Sequence, residues 1–141
     1  MLIIGITVTP AFAENPDDHG ARLDIPRVFH HPKDVFLQGY PQNLDLIVDI
    51  PADSIKSVIL FLRIDNAPGF LEIPMEFKRE RFNYRFVPQD TPADSLEYYF
   101  IVNLIDSSIH AAPLDESDQL IPVKRVFIDP QLYYKNRHLF K

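Results

Sequence analysis

Leu96-Glu97-Tyr98-Tyr99-Phe100-Ile101-Val102-Asn103-Leu104-Ile105-Asp106 is the stretch on which the fold turns. Side chains alternate between the two faces of an extended backbone, so Leu96, Tyr98, Phe100, Val102 and Leu104 share one face. Tyr99, Ile101 and Ile105 dominate the other, which makes this the strand with most hydrophobic residues on both faces. Two further strand patterns lead into it. Leu71, Ile73, Met75 and Phe77 alternate with Glu72, Pro74, Glu76 and Lys78. After Arg79-Glu80, Phe82, Tyr84 and Phe86 alternate with Arg81, Asn83 and Arg85 until Pro88. Two amphipathic strands so close together predict a hairpin, whose turn type stays open because the link has no glycine. Pro74 inside the first of them predicts an edge strand or a bulge, since proline cannot donate to a ladder.

Outward toward the N-terminus, Val58, Leu60, Leu62 and Ile64 line one face of a strand over residues 54–64, with Ile59 and Phe61 giving partial cover on the other. Before it, Leu44, Leu46, Val48 and Ile50 alternate with Asn43, Asp45, Ile47 and Asp49, a half-buried strand closed by Pro51. Val28 to His30 and Val35 to Gln38 flank His31-Pro32, which predicts a first strand at an edge that kinks or switches sheets. Toward the C-terminus, residues 107–119 read as a long acidic loop carrying Asp115, Glu116 and Asp118, and Leu120 to Ile128 as a last strand. Seven strands spaced by about ten residues predict an all-β, antiparallel sandwich of two sheets.

The series Val58-Ile59-Leu60-Phe61-Leu62-Arg63, Ile73-Pro74-Met75, Phe82-Asn83-Tyr84-Arg85-Phe86-Val87-Pro88 and Leu96 to Asp106, followed by Ala112-Pro113, resembles the immunoglobulin-like and fibronectin type III modules of bacterial exported proteins. The likeness covers about half of the chain. It implies a seven-stranded immunoglobulin-like β-sandwich with a non-catalytic role beside catalytic, adhesive or envelope components. The family shares no catalytic residues, so none are carried over.

The 141 residues suffice for one domain with a sizeable core, and 46% hydrophobic residues exclude a wholly disordered polymer. Thirteen prolines against four glycines suit short strands and stiff turns. The net charge of −6 disfavours nucleic acid and anionic membrane surfaces, the one basic group in view being Lys135, Arg137 and Lys141. With no cysteine, disulfides, thiolate chemistry and Cys-ligated zinc are excluded. Residues 1–13 read as a signal peptide: an apolar run from Leu2 to Phe12 ends in Ala11-Phe12-Ala13; no Lys or Arg precedes it, which fits either a true start upstream of Met1 or a buried first strand as the competing reading. Residues 14–27 then form a flexible leader, 28–128 the sandwich and 129–141 a tail with the spacing of a short helix. Export to the periplasm or medium is the expectation.

The chain has no Gly-rich phosphate loop, no Gly-x-Ser-x-Gly and no His-Glu-x-x-His, so no catalytic, cofactor or metal residue is assigned. His30 and His31 are neighbours on a strand and point to opposite faces, one expected buried or capping and the other exposed. Asp115, Glu116 and Asp118 lack the glycine and terminal glutamate of a calcium loop and read as solvated. Of Tyr98 and Tyr99, one is expected between the sheets, its hydroxyl bonded to nearby backbone, and the other on an outer face. In the tail, Tyr133, Tyr134, Lys135, Arg137 and Phe140 are the candidate partner-binding residues, with packing of the tail on the sandwich as the alternative. The expected function is a non-catalytic protein-interaction or assembly module whose partner is a second copy or an envelope protein. A carbohydrate-binding accessory domain is the alternative. A metal-assisted enzyme using His30, His31 or the acidic loop has the least support.

Overall fold

The computed structural model describes residues 27–136; the expected signal peptide, all of the leader except Arg27, and Arg137 and Phe140 of the tail lie outside the described residues. The strands are β1 (Val28–Phe29), β2 (Phe36–Leu37), β3 (Gln42–Val48), β4 (Ile55–Ile64), β5 (Leu71–Pro74), β6 (Glu76–Lys78), β7 (Arg81–Phe86), β8 (Ser95–Leu104), β9 (Ile109–Ala112) and β10 (Val123–Ile128), followed by helix α1 (Pro130–Lys135). They form two sheets. The small one has the order β1-β3-β7-β6 and the large one β2-β10-β8-β4-β5, with β9 also paired to β8. Both contribute to one buried cluster, in which Leu44, Leu46 and Phe86 of the small sheet meet Leu60, Leu62, Tyr98, Phe100 and Val102 of the large sheet. Residues 27–136 are therefore mostly β, in two packed sheets with one short helix.

β8 lies inside the large sheet, paired along its length with β4 and on its other side with β10 and then β9. Its burial alternates without a break: Leu96, Tyr98, Phe100, Val102 and Leu104 are buried, while Tyr99 and Ile101 are half-exposed. The same alternation holds in β4 at Val58, Leu60 and Leu62, and in β3 at Leu44 and Leu46. A period of two read from sequence thus identifies the inner faces correctly in the strands that form the middle of each sheet.

Among the described residues the seven expected strands appear as ten segments, for two physical reasons. First, two of the expected strands pass from one sheet to the other. The chain leaves the small sheet after Phe29 and enters the large one at Phe36, with Pro32 between them. It leaves the large sheet at Pro74 and joins the small one at Glu76, with Met75 donating its N–H to the Val58 carbonyl at 2.9 Å on the way. Each proline stands where a missing donor does least harm, and both sides of the sandwich are closed by continuous chain. Second, the expected loop over residues 107–119 contains β9. Ser107, at a left-handed φ of 74°, makes the tight turn that glycine would ordinarily make. Asp106 caps that turn by accepting from the Ser108 N–H at 2.9 Å. The antiparallel expectation also needs amendment, because β2 runs parallel to β10.

Splitting also explains why the apolar face expected for residues 71–77 is buried only in its middle. Ile73 and Met75 pack against the core, whereas Leu71 and Phe77 are 56% and 65% exposed. The two ends of the segment hang over the outermost positions of different sheets. At the C-terminal end, Asp129 accepts the Gln131 N–H at 2.8 Å and Pro130 occupies the first helical position, which together start α1. None of its six residues is buried.

Candidate functional site

The outer face of the large sheet is more apolar than a solvated sheet surface requires. In register across four strands lie Ala111, Ile101, Ile59 and Pro74. In the next row Tyr99 is opposite Phe61, and their rings stack at 4.9 Å with 5° between planes. Phe70, from the turn before β5, meets Tyr99 edge-on at 5.2 Å. Polar pairs bound this band on both sides: Asn103 donates to Ser57 Oγ at 3.0 Å, and Arg63 pairs with Glu97 while its guanidinium lies 4.9 Å from the Phe70 ring. A partly exposed ion pair contributes about 0–1 kcal/mol, so its effect here is mainly to hold Arg63 and Phe70 in place. Ile59, Phe61, Tyr99 and Ile101 are half-buried by one another and their neighbours, and beyond the polar pairs Val126 and Ile109 add separate apolar surface at 61% and 62% exposure.

Between the sheets, His30 occupies a position of a different kind. The Asp45 carbonyl lies 2.7 Å from its Nδ1, and the Tyr98 hydroxyl 2.8 Å from its Nε2. A carbonyl can only accept, so Nδ1 carries the proton and Nε2 accepts from Tyr98. The ring packs edge-to-face on Tyr98 at 5.3 Å and against Phe100 at 4.8 Å. Burial lowers the His30 pKa from its ordinary value, the hydrogen bond to Asp45 opposing it, and burial raises that of the Tyr98 phenol. Tyr98 is fully buried and Tyr99 lies on the outer face, but the Tyr98 hydroxyl meets the His30 ring rather than the nearby backbone expected of it. The pair is 68 residues apart in sequence, and no local pattern joins them. His31 is exposed, so the two histidines do separate.

The remaining expected sites are dispersed. Asp115 Oδ1 accepts the N–H groups of Ser117 and Gln119 at 2.7 and 2.9 Å, so this carboxylate organises its own loop. Among the described residues, no three His, Asp or Glu side chains are placed to hold one metal ion. Tyr133, Tyr134 and Lys135 lie on α1, with Tyr134 60% exposed and its ring 5.2 Å from that of Tyr133.

The structure also corrects the expectation of a single basic group at the C-terminus. The outer face of the small sheet carries a cleft of about 470 Å³ lined by Lys78, Arg79, Arg81 and Arg85 together with Asn43, Asp45 and Asn83. A second hollow of about 210 Å³, lined in part by His31 and Lys33, shares Asn43, Asp45 and Arg81 with it. The signal was in the sequence: Arg81, Asn83 and Arg85 alternate on one face next to Lys78-Arg79. Read strand by strand, however, they were the wet side of a hairpin. No protein-family model matches the chain, and no curated protein sequence matches it.

Proposed function

We propose that this chain is an exported, non-catalytic interaction or assembly module of the immunoglobulin-like, fibronectin type III-like kind, and that a protein partner covers the outer face of its large sheet. The observation that carries the reading is the apolar band of Ile59, Phe61, Tyr99 and Ile101 across the middle of that face. Strand order supports the immunoglobulin-like assignment, since β1-β3-β7-β6 against β10-β8-β4 follows the two-sheet order of such domains, with β5 added beside β4. The apolar run before Ala11-Phe12-Ala13 supports export.

Docking through a sheet face is favoured over strand addition. The edge strands β1, β2, β5 and β6 are two to four residues long, and chain that changes sheets closes both sides. Short, interrupted edges are poor templates for pairing. The band is a poor platform for sugar rings as well, because Phe61 and Tyr99 each cover a face of the other. The test is a photo-crosslinking side chain at Ile101, compared with one at Asn83 on the opposite sheet, in extract of the native cells. A discrete protein adduct from position 101, absent from position 83 and lost in Ile59→Lys, is expected. Equal labelling from both positions, or none from 101, would sink the reading.

A further inference from the structure

The basic cleft on the small sheet is a feature that the apolar band does not explain, and its argument is independent of that band. In a chain of net charge −6, Lys78, Arg79, Arg81 and Arg85 line one cleft, Asp45 is the carboxylate among its described lining residues, and Lys33 lines the hollow beside it. Cations so placed repel one another, an arrangement that a counter-charge from outside would relieve. Among the described residues, Lys78, Arg79 and Arg85 have no ion-pair partner, so these charges are not spent within the sheet.

Asp45, the carboxylate inside the cleft, is already engaged. Its Oδ1 accepts from the Asn83 side chain and its Oδ2 lies 3.6 Å from Arg81, so it aligns two groups of the cleft wall. Its backbone carbonyl is held by His30 from the core side, which fixes the strand beneath. Arg79 and Glu80 both adopt left-handed φ, 54° and 67°, in the tight turn that brings Lys78 and Arg79 to the cleft. Neither is glycine, so the chain carries strained residues at the mouth of the site.

We propose that this cleft binds an acidic polysaccharide through the carboxylate or sulfate groups of the sugar chain. Arg81 and Arg85 are four residues apart on one strand, about 13 Å, so they suit charges repeated along an extended ligand better than one small anion. Arginine forks match planar or tetrahedral oxyanions, and the amides of Asn43 and Asn83 supply both donors and acceptors for hydroxyl groups. Among the described residues the lining of the main cleft contains no aromatic side chain, and the rings nearby, Phe29 and His31, belong to the smaller hollow. That separates it from single-stranded nucleic acid sites, where bases stack on rings.

The experiment is calorimetric titration of the full chain with polygalacturonate, dextran sulfate, neutral dextran and oligothymidylate. The polygalacturonate and dextran sulfate arms separate carboxylate from sulfate recognition. Binding to at least one of these two and none to neutral dextran is expected. Lys78→Gln with Arg85→Gln should weaken it at least tenfold, whereas Lys56→Gln with Lys124→Gln, an equal loss of charge on the large sheet, should leave it unchanged. Should the first variant not fold, Arg85→Gln alone is read, with a loss of about threefold expected from one arginine contact. Failure to bind either acidic polysaccharide, equal weakening by both variants, or oligothymidylate binding as tight as the polysaccharides overturns the assignment.

Discussion

His30 joins the two sheets by hydrogen bonds to the Asp45 carbonyl and the Tyr98 hydroxyl, and its burial favours the neutral ring. In the neutral ring Nε2 accepts from Tyr98; protonation turns it into a donor to the same hydroxyl and places a charge between the sheets, which burial disfavours. Burial lowers its pKa in the folded state, whereas the unfolded chain takes up the proton near the ordinary value of about 6.5. Below that pH the unfolded state binds more protons than the folded one, so stability contributed by neutral His30 is present above it and declines as the pH falls through it. Urea titrations at pH 8 and pH 5.5 should show lower stability at the acid pH. In His30→Gln the difference should shrink; an unchanged difference would remove His30 as its cause. Gln42 is a further polar group in the core, 4% exposed; its Nε2 donates to the Tyr40 carbonyl at 3.3 Å, and its Oε1 finds no partner among the described residues.

At the scale of elements, turns made without glycine are a recurring feature. The β6–β7 hairpin uses Arg79 and Glu80 at positive φ, the pattern of a type I′ turn that matches the twist of its strands. Side chains with a Cβ pay about 1–2 kcal/mol in that region of backbone space. Glu80→Gly should therefore raise stability by about 1 kcal/mol, after allowing for the greater freedom of glycine in the unfolded chain. A urea titration reads this directly, and an equal or lower midpoint would show that Glu80 is not strained. Ser107 and Asp118 take left-handed φ in the loops around β9, and Asp106 and Asp115 stabilise those turns by accepting backbone N–H groups. Polar caps of this kind let residues 27–136, in which Gly39 and Gly69 are the glycines, form ten strands.

For the whole molecule, the decisive fact is that one hydrophobic cluster spans both sheets. Leu60 is fully buried in β4, between its neighbours β8 and β5. Leu60→Ala should cost about 2–5 kcal/mol, a large part of the 5–15 kcal/mol that holds such a domain together. Because the core is shared, circular dichroism and tyrosine fluorescence should report one coincident unfolding transition in both proteins. Two separated transitions would mean that the sheets are independent units. The two outer faces differ in character as sharply as the inner faces agree. One is apolar and flanked by paired polar groups; the other is a basic hollow, and the proposals for the molecule follow that division.

By itself the sequence determined which side of each strand faces inward. The period of two at Leu44, Leu46, Val58, Leu60, Tyr98 and Phe100 follows from backbone geometry within a few residues, and so it was legible. It also marked Pro32 and Pro74 as places where a ladder must be interrupted. Only the tertiary structure decided which strands become neighbours. The passage of single strands from sheet to sheet, the pairing of β9, the bond from His30 to Tyr98 and the grouping of Lys33 with Lys78 and Arg81 all join residues distant in sequence. Such proximity arises when two sheets close on a common core, and alternation along one strand carries no information about what lies across the next.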